Sequence, residues 1–260
     1  MFYALAHDLV ETGEYEFEHI LRDIETLNRC AVEGTLHTTA ISVHGYAFVA
    51  DKYAIMTHGA SMGDGYGPMV IAREEMSEDE LRRQTIAIPG LMTSAYLALR
   101  LRLGDVHCEV LDFDEILPAV VEGRYAAGLI IHEGQLTHEE EGARCLMDLG
   151  AWWKGETGLP LPLGVNVIRR DLGPKRMAAV SRILHASIQY SLHHREEALD
   201  YALEFGRGLD RAQADQFVGM YVNDWTLDYG DIGRRAVHEL LRRGHQIGML
   251  PPVGEIDFVG

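Results

Sequence analysis

Thirteen histidines occur in 260 residues, and one of them stands where a proton acceptor could work. The apolar run Ala127-Gly128-Leu129-Ile130-Ile131 ends abruptly in His132-Glu133. An imidazole titrates near neutrality and can take a proton from a reacting group. Successive residues of an extended chain point to opposite sides, so Glu133 is expected to face away from His132 and to be structural. The plain alternative is a histidine that merely ends a strand. Two further places suit an anion. Ser42 follows the short apolar strand Thr38–Ile41 and precedes a helical stretch, and Thr93-Ser94 follow Thr85–Ile88 and open another helix. Each offers a hydroxyl and free backbone N–H groups at a helix N-terminus, where a carboxylate is stabilised. Singly each is an ordinary N-cap; two such ends facing one cleft make a ligand site.

Other patterns carry less. Gly59-Ala60-Ser61-Met62-Gly63 has the G-x-S-x-G form of a nucleophile elbow, but that device needs a helix directly after the serine. Here Gly65, Gly67 and the strand-like Pro68–Arg73 follow. A glycine-rich turn between two strands is the expectation, and the missing helix also excludes a phosphate loop. No H-E-x-x-H or H-x-H occurs, and His193-His194, adjacent on a helix, point in different directions. Cys30, Cys108 and Cys145 are odd in number and lack metal-ligand spacing. No metal and no disulfide framework are expected, and a reducing cytoplasm fits. Trp152 and Trp153 can stack on an aromatic ligand or pack at a hinge.

Forty acidic residues against 23 basic ones give a net charge of −17, which argues against a nucleic-acid or anionic-membrane partner. A small anionic ligand stays open, since a pocket can oppose the global sign. No apolar run is long enough to span a membrane. Met1–Asp8 shows neither a basic region nor the apolar core of a signal peptide.

Around these residues the chain alternates strand and helix. Helices are expected over Phe2–Val10, over Asp23–Gly34 with Asp23 as cap and Gly34 as stop, over Val43–Ala50, from Thr93 or Ser94 to Leu101, over Asp114–Gly123, and in a short acidic stretch over His138–Ala143. Strands are expected at Tyr15–Ile20, Thr38–Ile41, Tyr53–Thr57, Pro68–Arg73, Thr85–Ile88, Glu109–Phe113, Ala127–Ile131, Cys145–Leu149 and Val165–Ile168. From Pro174 onward apolar residues recur at helical spacing, and this C-terminal third reads as helical without strands. The alternation predicts an α/β protein with mixed, mostly parallel sheets. No linker or repeat is visible. Two discontinuous lobes fit that absence: residues 1–84 with 169–260, and residues 85–168, with a ligand cleft between them.

Four blocks then resemble one family. Asp23-Ile24-Glu25-Thr26-Leu27-Asn28, Gly65-Tyr66-Gly67-Pro68, Gly128–Glu133, and Asp148–Trp153 with Thr157–Gly164 are similar, in order, to the 1,4-dihydroxy-6-naphthoate synthases of the futalosine route to menaquinone. The resemblance implies a two-lobed fold like type 2 periplasmic binding proteins. It implies a cytoplasmic carbon–carbon lyase that converts cyclic dehypoxanthinyl futalosine to 1,4-dihydroxy-6-naphthoate and dihydroxyacetone, without cofactor or metal. His132 matches the family's proton acceptor, Ala40-Ile41-Ser42 one substrate-binding segment and Thr93-Ser94 another. A non-catalytic small-anion binding protein of the same fold and the sister enzyme that dehydrates chorismate are the alternatives. One departure stands out. The family opens with a strand and a loop reading roughly Ser-Pro-Cys-Pro-Asn-Asp-Thr, whereas this chain starts at Met1-Phe2-Tyr3. A central strand of the first lobe and one wall of the cleft are therefore expected to be absent.

Overall fold

The computed structural model describes residues 1–205 and 210–260. Ten strands form two sheets of five. In chain order they are β1 (Thr38–Ser42), β2 (Tyr53–Met56), β3 (Ser61–Gly63), β4 (Met69–Ala72), β5 (Thr85–Ile88), β6 (His107–Val110), β7 (Ala127–Ile130), β8 (Arg144–Asp148), β9 (Leu161–Arg169) and β10 (Phe258–Val259). The first sheet runs β1-β9-β2-β10, with β3 also pairing β9; the second runs β6-β5-β7-β4-β8.

The two sheets and the helical C-terminal third agree with the α/β, two-lobed reading, and the sheets are mixed. Parallel ladders join β5 to β6, β5 to β7 and β2 to β10; the other pairings among the described residues are antiparallel. Antiparallel pairing thus dominates, contrary to expectation. The reason is topological: the long β9 returns against β1, β2 and β3, and β4 enters the second sheet between β7 and β8. The chain also changes sheets earlier than expected on both passes. β4 already belongs to the second sheet and β9 to the first, so the crossings lie in residues 64–68 and 149–160 rather than near 84 and 168. The crossings touch. A Cβ on Gly150 would lie 1.9 Å from the Tyr66 carbonyl oxygen, so only glycine permits this approach.

Local chemistry explains most helices. Asp23 caps Ile24–Glu33 by accepting from the Thr26 N–H, and Gly34 ends it in the left-handed conformation. Thr93 caps Ser94–Leu103 through the Tyr96 N–H. Ser77 with Glu80, and Asp210 with Gln213, form capping boxes. Asp148 caps a helix at Leu149–Thr157, where the sequence showed only a tryptophan pair before a proline-rich turn. Helix Ser94–Leu103 is buried over most of its length and lies between the lobes, so one hydrophobic cluster continues through both sheets. A second cluster packs helix Gly173–His193 on the outer face of the first sheet.

Several expectations are corrected. Tyr15–Ile20 forms no ladder, and the outer edge of β1 pairs with no strand among the described residues. Between them runs a groove lined by Phe17, Ile20, Leu21, Thr38, Ala40 and Asn166. The alternation of Tyr15–Ile20 is real, but a strand without a neighbour has no backbone bonds to define it. The first helix covers only Tyr3–Ala6. Helix Ile116–Val121 follows Glu115, which makes no side-chain cap, so Asp114 is not its N-cap. Residues 138–143 are turns after a short helix at Gly134–Thr137. The C-terminal third ends in β10, which joins β2.

Candidate active site

The ends of three strands converge between the lobes. β1 ends at Ser42, β5 leads through Pro89-Gly90 to Thr93, and β7 leads to Ile131. Ser42, Thr93, Ser94 and Ile131 line one cavity of about 260 Å³ with Ser61, Leu163, Phe217 and Tyr221. Ligands of open α/β sheets sit outside the carboxyl ends of their strands, and this cavity occupies that place. Its lining is apolar except for hydroxyl groups. No lysine, arginine or carboxylate lines it among the described residues.

Hydrogen bonds assign the roles of those hydroxyls. Thr93 Oγ1 donates to the Gly90 carbonyl at 2.9 Å and accepts from the Tyr96 N–H. Ser94 Oγ donates to the Leu163 carbonyl at 2.6 Å and accepts from the His44 N–H at 3.2 Å. Both are committed to holding the helix start against the first sheet. What they leave for an anion is the helix N-terminus itself. Ser42 Oγ accepts from Asn28 Nδ2 at 3.2 Å, while the Ser42 N–H donates to Asn28 Oδ1 at 2.8 Å. The Ser42 hydroxyl therefore keeps its proton for a ligand. Ala40 lines the outer groove instead, and the Ile41 side chain is fully buried in the core, so of that segment only Ser42 reaches the cavity.

His132 lies one residue beyond the cavity wall and does not itself line it. Its Nδ1 accepts from the Gly134 N–H at 3.0 Å, and its ring packs edge-on against Phe113 at 5.7 Å. An acceptor Nδ1 fixes the neutral ring's proton on Nε2. Nε2 is buried, with no hydrogen-bond partner of normal geometry. Burial pushes the His132 pKa down, while Glu133, Glu141 and the Phe113 backbone oppose the shift. The ring is thus neutral at ordinary pH. Glu133 lines a separate, acidic groove with Asp23, Glu25 and Asp112, so the sequence neighbours do separate. Trp153 is buried and donates to the Pro160 carbonyl; neither tryptophan lines the cavity.

Three contributing residues escaped the sequence reading. Asn28 sits with Ile24, Leu27 and Ala31 on the inward face of its helix; an amide on an apolar stripe was the signal. Gln135 and Tyr221 meet across the lobes, the phenol donating to Gln135 Oε1 at 2.6 Å; no spacing in the sequence joins them. Among the described residues no group of histidine, cysteine and acidic side chains could hold a metal ion, and no helix is long and apolar enough to cross a membrane.

The architecture is that of periplasmic-type binding proteins. The fold matches the periplasmic aliphatic sulphonate binding protein of Escherichia coli with a TM-score of 0.67 at 12% identity, over 96% of this chain and 84% of that one. The sequence pattern of the menaquinone biosynthesis family matches residues 1–246, and the chain belongs to that family. It is 43% identical to the 1,4-dihydroxy-6-naphthoate synthase of Thermus thermophilus over 97% of this chain and 92% of that protein. It is 35% identical to the enzyme of the same name from Streptomyces coelicolor, over 98% and 91%. A crystal structure of an Archaeoglobus fulgidus protein superposes with a TM-score of 0.92 at 43% identity, covering 96% of this chain and 93% of that one.

Proposed function

We propose that this member of the menaquinone biosynthesis family is a carbon–carbon lyase of the futalosine route. It converts cyclic dehypoxanthinyl futalosine to 1,4-dihydroxy-6-naphthoate and dihydroxyacetone. The observation that carries the reading is the convergence of Ser42, the start of helix Ser94–Leu103 and the turn bearing His132 on one apolar cavity. The names of the two relatives support it. The substrate carboxylate rests on the N-terminus of Ser94–Leu103, with the Ser42 hydroxyl as a further donor.

Releasing a three-carbon fragment while the remaining ring becomes aromatic requires loss of a proton and redistribution of an electron pair, with no change of oxidation state overall. A neutral histidine one residue beyond the cavity wall is suited to that proton once the turn brings it in. His132 is the general base in this reading. Its Nδ1 lone pair is given to Gly134, so base action requires the Ile131–Gly134 turn to shift as the lobes close on substrate. Closing also excludes water and fixes the reacting atoms. We place the protein in the cytoplasm, in keeping with a biosynthetic family and with three unpaired cysteines.

The test is incubation with cyclic dehypoxanthinyl futalosine and, separately, with chorismate, followed by product analysis. Formation of the naphthoate and dihydroxyacetone from the first alone supports the lyase. Dehydration of chorismate, or tight binding without turnover, refutes it.

A further inference from the structure

The part of the cavity wall at Tyr221 carries a fixed polar pattern. Gln135 is 3% exposed. One end of its amide faces two carbonyls, Gly67 at 2.6 Å and Ile130 at 3.5 Å. Only an NH₂ satisfies two acceptors, so the other end is the carbonyl oxygen. That oxygen accepts the Tyr221 hydroxyl at 2.6 Å. Burial holds the Tyr221 phenol neutral by raising its pKa, and its single proton is therefore spent on Gln135. What Tyr221 presents to the cavity it lines is a lone pair.

Two parts of the cavity lining are thus unlike. Near Ser42 and the helix start it offers hydrogen-bond donors. At Tyr221 it offers an acceptor, beside the Phe217 ring 5.2 Å away. We propose that Tyr221 selects ligands bearing a hydroxyl group remote from their carboxylate, accepting that hydroxyl's proton, and that Gln135 is the positioning residue fixing this polarity. The inference deepens the proposed function, on which it rests, by naming the feature of substrate or product that the second wall reads. A phenol free to rotate would serve equally as donor and would take a carbonyl as readily as a hydroxyl. With Gln135 locked by Gly67 and Ile130, it cannot offer its proton without losing a buried hydrogen bond. The Gln135 N–H also donates to the His132 carbonyl at 2.9 Å, so the same residue braces the turn that carries His132.

The probes are 1,4-dihydroxy-6-naphthoate and 2-naphthoate, which share the carboxylate and fused rings and differ in the two hydroxyls. Binding is measured by fluorescence titration to the wild type, Tyr221→Phe and Gln135→Leu, with melting temperatures to confirm folding. The wild type is expected to favour the dihydroxy compound about ten-fold, roughly the worth of one well-made neutral hydrogen bond. Tyr221→Phe abolishes that preference and leaves 2-naphthoate binding unchanged. Gln135→Leu frees the phenol to rotate, and the cost of ordering it again reduces the preference in a folded protein. A Tyr221→Phe variant that keeps the full preference overturns the inference, even where the wild type turns over its substrate. Equal binding of both probes by the wild type overturns it too. A wild type that binds both probes with the expected preference yet makes no naphthoate from the futalosine sinks the functional reading alone.

Discussion

Asn28 grips Ser42 at both ends of its amide. Oδ1 accepts the Ser42 N–H at 2.8 Å and Nδ2 donates to the Ser42 hydroxyl at 3.2 Å. Nδ2 also reaches the Met92 carbonyl at 3.3 Å, tying the first-lobe helix to the loop that opens Ser94–Leu103. One buried side chain thus sets the donor end of the cavity. Asn28→Leu strands the Ser42 N–H and is expected to cost about 1–3 kcal/mol, lowering the melting temperature by roughly 2–4 °C per kcal/mol. KM rises more than kcat falls, because the group lost positions the ligand. Asn28→Asp keeps the acceptor and loses the donors, so it should fall between. Calorimetry with steady-state kinetics checks both; a Leu variant with wild-type KM rules out the positioning role.

His132→Asn is expected to lower kcat by roughly 10²- to 10⁴-fold, the usual share of a general base, with little change in melting temperature. Since burial depresses the His132 pKa below its ordinary 6.5, activity is full at neutral pH and declines only in more acidic solution. Glu133 holds that pKa up, so Glu133→Gln should move the acidic limb lower still. A pH–rate profile follows both effects; an unmoved limb in Glu133→Gln contradicts the assignment of that limb to His132.

His58 supplies a stability signature far from the cavity. Its Nε2 lies 2.9 Å from Ser181 Oγ, and its ring meets His185 edge-on at 5.4 Å. Burial, and next the charge of His185, push its pKa down to about 4. In the unfolded chain it titrates near 6.5. Between those values the unfolded state takes up the proton and the folded state does not. This contribution is therefore complete above about pH 6.5 and is lost as pH falls toward 4. Melting temperature should drop across that window, and His58→Gln should flatten the drop.

Legibility in the sequence followed locality. Asp23, Gly34 and Thr93 act within three or four residues of themselves, and their capping was readable or nearly so. The strand ends near Ser42, at Ile88 and near Ile131 were located within a residue, because apolar runs that stop at polar groups mark both burial and boundary. Sheet membership was not readable. That β4 pairs β7 and β8 while β9 returns to β1 depends on contacts roughly 55 to 130 residues apart along the chain, which no local pattern encodes. Tyr15–Ile20 shows the opposite failure: a correct alternation whose ladder needs a neighbour. The commitment of the Thr93 and Ser94 hydroxyls and the separation of His132 from the cavity are likewise products of tertiary contact, invisible to residue type.

A cavity without lysine or arginine among its described lining residues, in a chain of net charge −17, has a kinetic consequence. A carboxylate ligand diffuses inward against the field of the whole molecule and is stabilised only in the last few ångströms, by peptide dipoles and hydroxyls. Mobile ions shorten that repulsive field to about 8 Å at physiological ionic strength and leave the short-range dipoles untouched. Added salt should therefore speed capture of the ligand while hardly changing its escape, the reverse of the behaviour of enzymes that draw anions in with a basic funnel.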